Sequence, residues 1–242
     1  LISLLFNLEG SIVPAIAPKI IAAAVLGLSA CFLRKYRDHV EYDFTSFTVF
    51  GVALSLFLGF RNNACYARWW EARNQWGKQV IAVRNFARAV YSCVPERTHA
   101  ERIVKYASAH SHAMRHQLRE DETAVSDRNK FLSKYEIEIC EQSPNAADQI
   151  LTFASKALSE FVTTQYAATN VDVPNKSATV RGIDSVMFFG IHNHLSEMGA
   201  VQGACERLKS TPVPFAYSLL VYRTACLYIL LVPFAMVDTA GW

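Results

Sequence analysis

The stretch from residue 44 to residue 76 constrains this chain more than any other. It opens with seventeen uncharged residues, FTSFTVFGVALSLFLGF, and passes at once into RNNACYARWWEARNQW, which carries Arg61, Arg68, Glu71 and Arg73. An apolar helix that runs into a polar, arginine-rich one crosses a membrane and continues into water. That layout suits a pore or a stalk better than an enzyme pocket. The uncharged part has its own stripe, Val52, Leu56 and Phe60, spaced i, i+4, i+8 on one helix face. Ordinary helix packing produces the same period, so the stripe by itself leaves core packing and pore lining both open.

Composition narrows the class. The 242 residues are 52% hydrophobic and 19% charged, with the apolar segments gathered near the two ends. This predicts membrane helices combined with a water-exposed helical part. A net charge of +3 without a basic, aromatic-interleaved stripe gives no case for nucleic acid. The six cysteines are irregularly spaced and form no CxxC, so reduced thiols are expected.

Three hydrophobic regions organise the chain. Residues 12–33 are apolar apart from Lys19, whose long side chain reaches an interface by snorkelling. Pro14 and Pro18 suit a helix start. Residues 44–60 form the second span, roughly 26 Å long as a helix. Small residues Gly51, Ala53, Ser55 and Gly59 are expected on faces away from the stripe, where helices approach closely. Residues 212–237 form the third region, with Arg223 inside it. A charge at mid-membrane is costly, so Arg223 is expected at an interface or beside a partner. From Arg61 to Arg119 there are eleven Lys/Arg against three Asp/Glu, which places the residues after Phe60 in the cytoplasm. The expected division is 1–60 for the first two membrane helices, 61–210 for a cytosolic helical domain, and 211–242 for a third membrane region. A fourth membrane helix is expected beyond Trp242. Within the cytosolic part, residues 96–118, 130–141 and 146–168 read as amphipathic helices, and 121–129 and 170–178 as loops.

Three blocks, GFRNNACYARWWEARNQWG (59–77), RIVKYASAHSHAMRHQLR (102–119) and ACERLKSTPVPFAYSLLVYRT (204–224), resemble the bestrophin family in its bacterial branch, in order and spacing. The resemblance implies an all-α, multi-pass protein of the bacterial inner membrane, assembled as a homopentamer among lipids around one central pore for monovalent ions. It also implies that the second membrane helix lines the pore and that Val52, Leu56 and Phe60 form its narrow neck. A second, cytosolic constriction falls by position on Val186. The neck differs from the usual Ile and Phe of relatives in carrying Val and Leu at two positions. Animal members bind calcium through an acidic cluster that this chain lacks, and neither a cofactor nor a metal is expected.

Arg61, Asn62 and Asn63, directly after the neck, are candidates to meet ions and could equally face neighbouring subunits, and Asp184, beside the exit, is a candidate to bias it toward cations. Asp184 and the bacterial resemblance lean toward sodium or potassium, with a chloride channel of the same fold as the alternative. A membrane-anchored scaffold is the alternative of another class. An enzyme is disfavoured, because no nucleophile–base pair, phosphate loop or convincing metal motif is present. His112 and His116, at i, i+4, lack a completing ligand. Trp69, Trp70 and Trp76 suit interfacial anchoring or subunit packing, and Arg68, Glu71 and Arg73 a solvated or intersubunit salt-bridge network.

Overall fold

The computed structural model describes residues 13–34, 44–169 and 185–239. Among the described residues there are eight helices and no strand: α1 (Val13–Arg34), α2 (Phe44–Cys93), α3 (Arg97–Arg119), α4 (Glu122–Asn129), α5 (Lys134–Gln142), α6 (Ala146–Thr169), α7 (Ser185–Ser210) and α8 (Phe215–Thr239). The protein is all-α. The chain divides into two compact units, residues 1–67 with 213–242, and residues 68–212.

In the first unit α1 packs on α8. Two of its helices, at Val13–Phe32 and Phe215–Met236, are long and apolar enough to cross a membrane, and only 6% and 11% of those windows are buried within the chain. Apolar surface so poorly covered by its own fold calls for lipid or further protein. Lys19 places its ammonium 5.7 Å from the centroid of the Tyr222 ring, a cation–π contact. Arg223 is exposed and forms no ion pair among the described residues.

α8 also grips the apolar opening of α2. The Tyr217 hydroxyl donates to the Phe57 carbonyl at 2.9 Å. The Phe50 and Tyr228 rings lie 5.8 Å apart. Gly51 is the close-approach point, since a Cβ built there would stand 2.6 Å from the Tyr228 hydroxyl oxygen. Leu54, one turn on, is buried.

The second unit is a helical bundle with α3 at its centre, packed on α6, α4 and α7. Its core holds Phe86, Ile103, Met114, Ile150, Leu158 and Met198, all essentially inaccessible. The expected loop at 121–129 is instead a helix. Asp121 caps it, its carboxylate accepting the Thr123 N–H at 3.0 Å. The segment shows no apolar stripe because only Ala124 and Arg128 turn inward. The next helix starts later than expected, at Lys134 rather than Lys130. Ser133 and Glu136 form a reciprocal capping box that fixes this start. The 170–178 loop lies outside the described residues.

Gly51→Val is expected to push Tyr228 away and lower the stability of the helix pair by about 1–3 kcal/mol. Thermal unfolding of the purified protein in detergent checks this, and an unchanged midpoint would show that Tyr228 has room to move.

Candidate functional site

An α-helix turns about 100° per residue. Phe50, whose ring meets Tyr228 of α8, and the buried Leu54 then lie at about 160° and 200° around the axis from Val52. Leu56 and Phe60 fall at about 40° and 80°. The stripe therefore points away from α8. Val52, Leu56 and Phe60 are 65%, 56% and 56% exposed, so the chain's own fold leaves this apolar face open. Gly59 corrects one expectation. It lies at about −20° from Val52, on the stripe's own face, with nothing near the position of a Cβ.

The polar residues after the neck divide between faces. Asn63 falls about 20° from Val52 and continues the stripe, whereas Arg61 falls at about 180°, on the α8-facing side. Arg61 is half-buried and Asn62 and Asn63 are exposed. Val186 sits in the first turn of α7, 77% exposed, with Met187 and Phe189 also open. Asp184 lies outside the described residues.

Residues of the 61–76 segment tie themselves to the end of α7 within one chain. The Arg68 guanidinium donates to the carbonyls of Thr211 and of Leu208, the latter at 2.6 Å. Glu71 pairs with Arg207 at 2.6 Å. The last turn of a helix leaves carbonyls without intrahelical partners, and Arg68 fills that need. Glu71 thus makes a solvated salt bridge, as one of the two expected alternatives, within its own chain, whereas Arg68 binds backbone carbonyls in place of a carboxylate. Trp69 and Trp70 are exposed, their rings 6.0 Å apart, while Trp76 packs on the bundle core. His112 stacks on Phe131, and His116 Nδ1 lies 3.2 Å from the Asp121 carbonyl. Among the described residues no three His, Cys, Asp or Glu side chains converge as a metal site would.

A buried polar chain runs through the bundle from α2 to α7, and nothing in the sequence pattern pointed to it. Gln79 Nε2 donates to His110 Nδ1 at 3.0 Å. Because an amide nitrogen is only a donor, Nδ1 is the bare nitrogen and the proton sits on Nε2. His110 Nε2–H donates in turn to Gln202 Oε1 at 3.0 Å. Gln202 Nε2 donates to Asn145 Oδ1 at 3.1 Å and to Glu206 Oε1 at 2.8 Å. The same carboxylate oxygen accepts from Asn145 Nδ2 at 3.0 Å and Gln117 Nε2 at 2.9 Å. Burial pushes Glu206 up, but these three amide donors overcome it and hold the carboxyl below its usual range. Burial pushes His110 below its usual value, against the opposing hydrogen bond of Gln202 and the charges of Asp148 and Glu206.

The family model for the bacterial and fungal bestrophin proteins matches residues 1–242 of this chain. A voltage-dependent anion channel-forming protein of Mesorhizobium japonicum is 35% identical over 243 residues, covering 100% of this chain and 73% of that protein. YneE of Salmonella typhi, also named a voltage-dependent anion channel-forming protein, is 31% identical, covering 98% of this chain and 73% of its own length. Among solved structures, a variant of a bacterial bestrophin homologue from Klebsiella pneumoniae superposes with a TM-score of 0.80 at 30% identity, covering 92% of this chain and 78% of that one.

The neutral His110 carries a pH dependence of known sign. Above about pH 6.5 the side chain is neutral whether the chain is folded or not. Below that value the unfolded chain takes up the proton first, so the stability contributed by the neutral ring is lost as the pH falls. His112, lowered mainly by its own partial burial, adds to the same trend. The unfolding midpoint is therefore expected to drop between about pH 7.5 and 5.5, and to drop less in His110→Asn. Equal slopes in the two proteins would remove His110 from this role.

Proposed function

Because this chain belongs to the bacterial and fungal bestrophin family, we propose that it is a membrane ion channel, assembled as a homopentamer that conducts monovalent ions through a single axial pore. One observation carries the reading. The stripe Val52, Leu56 and Phe60 is apolar, open, and turned away from the face that α8 holds. A lone subunit gains nothing from such a face in contact with water. Five copies around an axis turn it into three stacked apolar rings, and closed symmetry supplies each ring at no further cost in sequence.

The rings form a hydrophobic neck. Val, Leu and Phe offer an ion neither charge nor hydrogen bond, so a narrow ring loses its water and stops conduction until it widens or wets. Val186 forms the second, cytosolic constriction, at the open start of α7. The basic excess after Phe60 supports a cytoplasmic location for residues 61–210.

An apolar ring penalises both signs of charge, so polar neighbours decide between them. The first reading is a preference for sodium or potassium, set by Asp184 at the exit. The second is a preference for anions, favoured by the names of the relatives from Mesorhizobium japonicum and Salmonella typhi. Asn63, on the stripe's face, has the better placement to meet ions of either sign, and Arg61 sits on the other side of the helix.

Purified protein in planar bilayers under a NaCl gradient tests this directly. A reversal potential near the sodium value supports the first reading, and one near the chloride value the second. Leu56→Ala and Phe60→Ala are each expected to raise single-channel conductance, since every substitution acts five times. Unchanged currents in both, from an intact pentamer, would discard the neck.

A further inference from the structure

Arg128 is 4% exposed and has no carboxylate within salt-bridge distance among the described residues. Its Nε and Nη2 both donate to the same neutral acceptor, Asn129 Oδ1, at 3.0 and 2.9 Å. Its Nη1 has no partner among the described residues. A buried charge without a counter-charge is costly unless hydrogen bonds or a bound anion offset it. The Arg128 side chain lines a cavity of about 450 Å³ within the second unit, a volume in the range of small-molecule sites.

The same cavity is lined by Ala146 and Ala147, the first two residues of the 24-residue helix α6. Asn145 caps that helix, its Oδ1 accepting the Asp148 N–H at 3.1 Å and its carbonyl the Gln149 N–H at 3.1 Å. The N–H groups of Ala146 and Ala147 have no acceptor among the described residues. Arg128, without a counter-charge, and the first turn of α6, the positive end of that helix, thus line one space. Three carboxylates lie at or next to the cavity, and among the described residues none forms a salt bridge with Arg128; one of them, Glu206, is held by the lining Gln117 and Asn145. Glu120 is taken by Lys209 at 3.4 Å, and Glu141 is exposed. Asp148, in the first turn of α6, is not among the lining residues.

We propose that this cavity binds a small oxyanion, a phosphate or a carboxylate, held between the Arg128 guanidinium and the first N–H groups of α6. A guanidinium presents paired donors in a plane that matches two oxygens of such an anion. The N–H groups of α6 supply further donors that need no side chain. Lys209 adds positive charge at the mouth while remaining bound to Glu120 and to the Gln117 carbonyl at 2.7 Å. The site is independent of ion conduction, so a channel without it, or a site without a channel, are separable results.

The test uses the full-length protein in detergent, titrated with inorganic phosphate or with succinate against chloride at matched ionic strength. Saturable thermal stabilisation is expected with at least one of the two. Response to phosphate alone assigns a phosphoryl ligand, and response to succinate a carboxylate. Arg128→Gln should weaken that response at least about tenfold. Without ligand its unfolding midpoint should be unchanged or higher, because an unbalanced buried charge is gone. Ala146→Pro removes one N–H at a helix position that tolerates proline, and should weaken the response while leaving the ligand-free midpoint in place. Absence of saturable stabilisation by either anion overturns the proposal. So does an undiminished response in Arg128→Gln. Should that variant fail to fold, an undiminished response in Ala146→Pro is decisive against it.

Discussion

One unbroken ladder of backbone hydrogen bonds, the 50-residue helix α2, carries two different kinds of surface. Its opening carries no charge for seventeen residues and its remainder is polar, yet the backbone does not change. A helix can do this because its N–H and C=O groups are satisfied internally and ask nothing of the medium. Side chains alone carry the change. In the opening segment they divide into a face held by Tyr217 and Tyr228 and a face left open. In the later segment Gln79, Ala82, Phe86 and Val90 are buried in the bundle. The stripe's orientation is thus set by the tyrosines behind it as much as by its own residues.

Within the bundle the hydrophobic core supplies most of the burial, but the polar chain limits how the helices can slide. Apolar contacts tolerate small shifts of register. A carboxylate oxygen that accepts from Gln117, Asn145 and Gln202 at 2.8–3.0 Å does not. Removing one donor leaves part-buried groups unpaired, which adds to the value of the lost bond. His110 is the one ring in that chain able to change charge near neutrality, and its two bonds fix both its tautomer and its orientation.

Much of this architecture is legible in the sequence. The apolar segments at 12–33 and 212–237, and the amphipathic period of 96–118 and 146–168, correspond to helices whose ends fall within about three residues of expectation. What periodicity misses, it misses for a reason. α4 has no stripe, because eight residues with two inward positions give no period to detect. The Gln79–His110–Gln202 chain joins residues from three separate helices, and no local pattern marks residues that meet only through tertiary folding. Arg128 looks like any surface arginine in a polar segment until its burial is seen. The face of Asn63 against that of Arg61 was computable from spacing, since two positions apart on a helix are never on one side.

The same distinction bears on how selectivity arises. A hydrophobic ring controls whether an ion passes, because its cost is dehydration, which falls on both signs. Discrimination then belongs to groups that combine a dipole or charge with a position on the open face. Asn63 meets that condition by geometry, and its amide offers a carbonyl oxygen to cations and an N–H pair to anions. Arg61 carries the stronger field but stands behind the helix, where its charge reaches the open face only through the helix itself. In the proposed pore, a neutral, two-sided group at the end of a neutral neck would leave the balance to be tipped by charges further along the path.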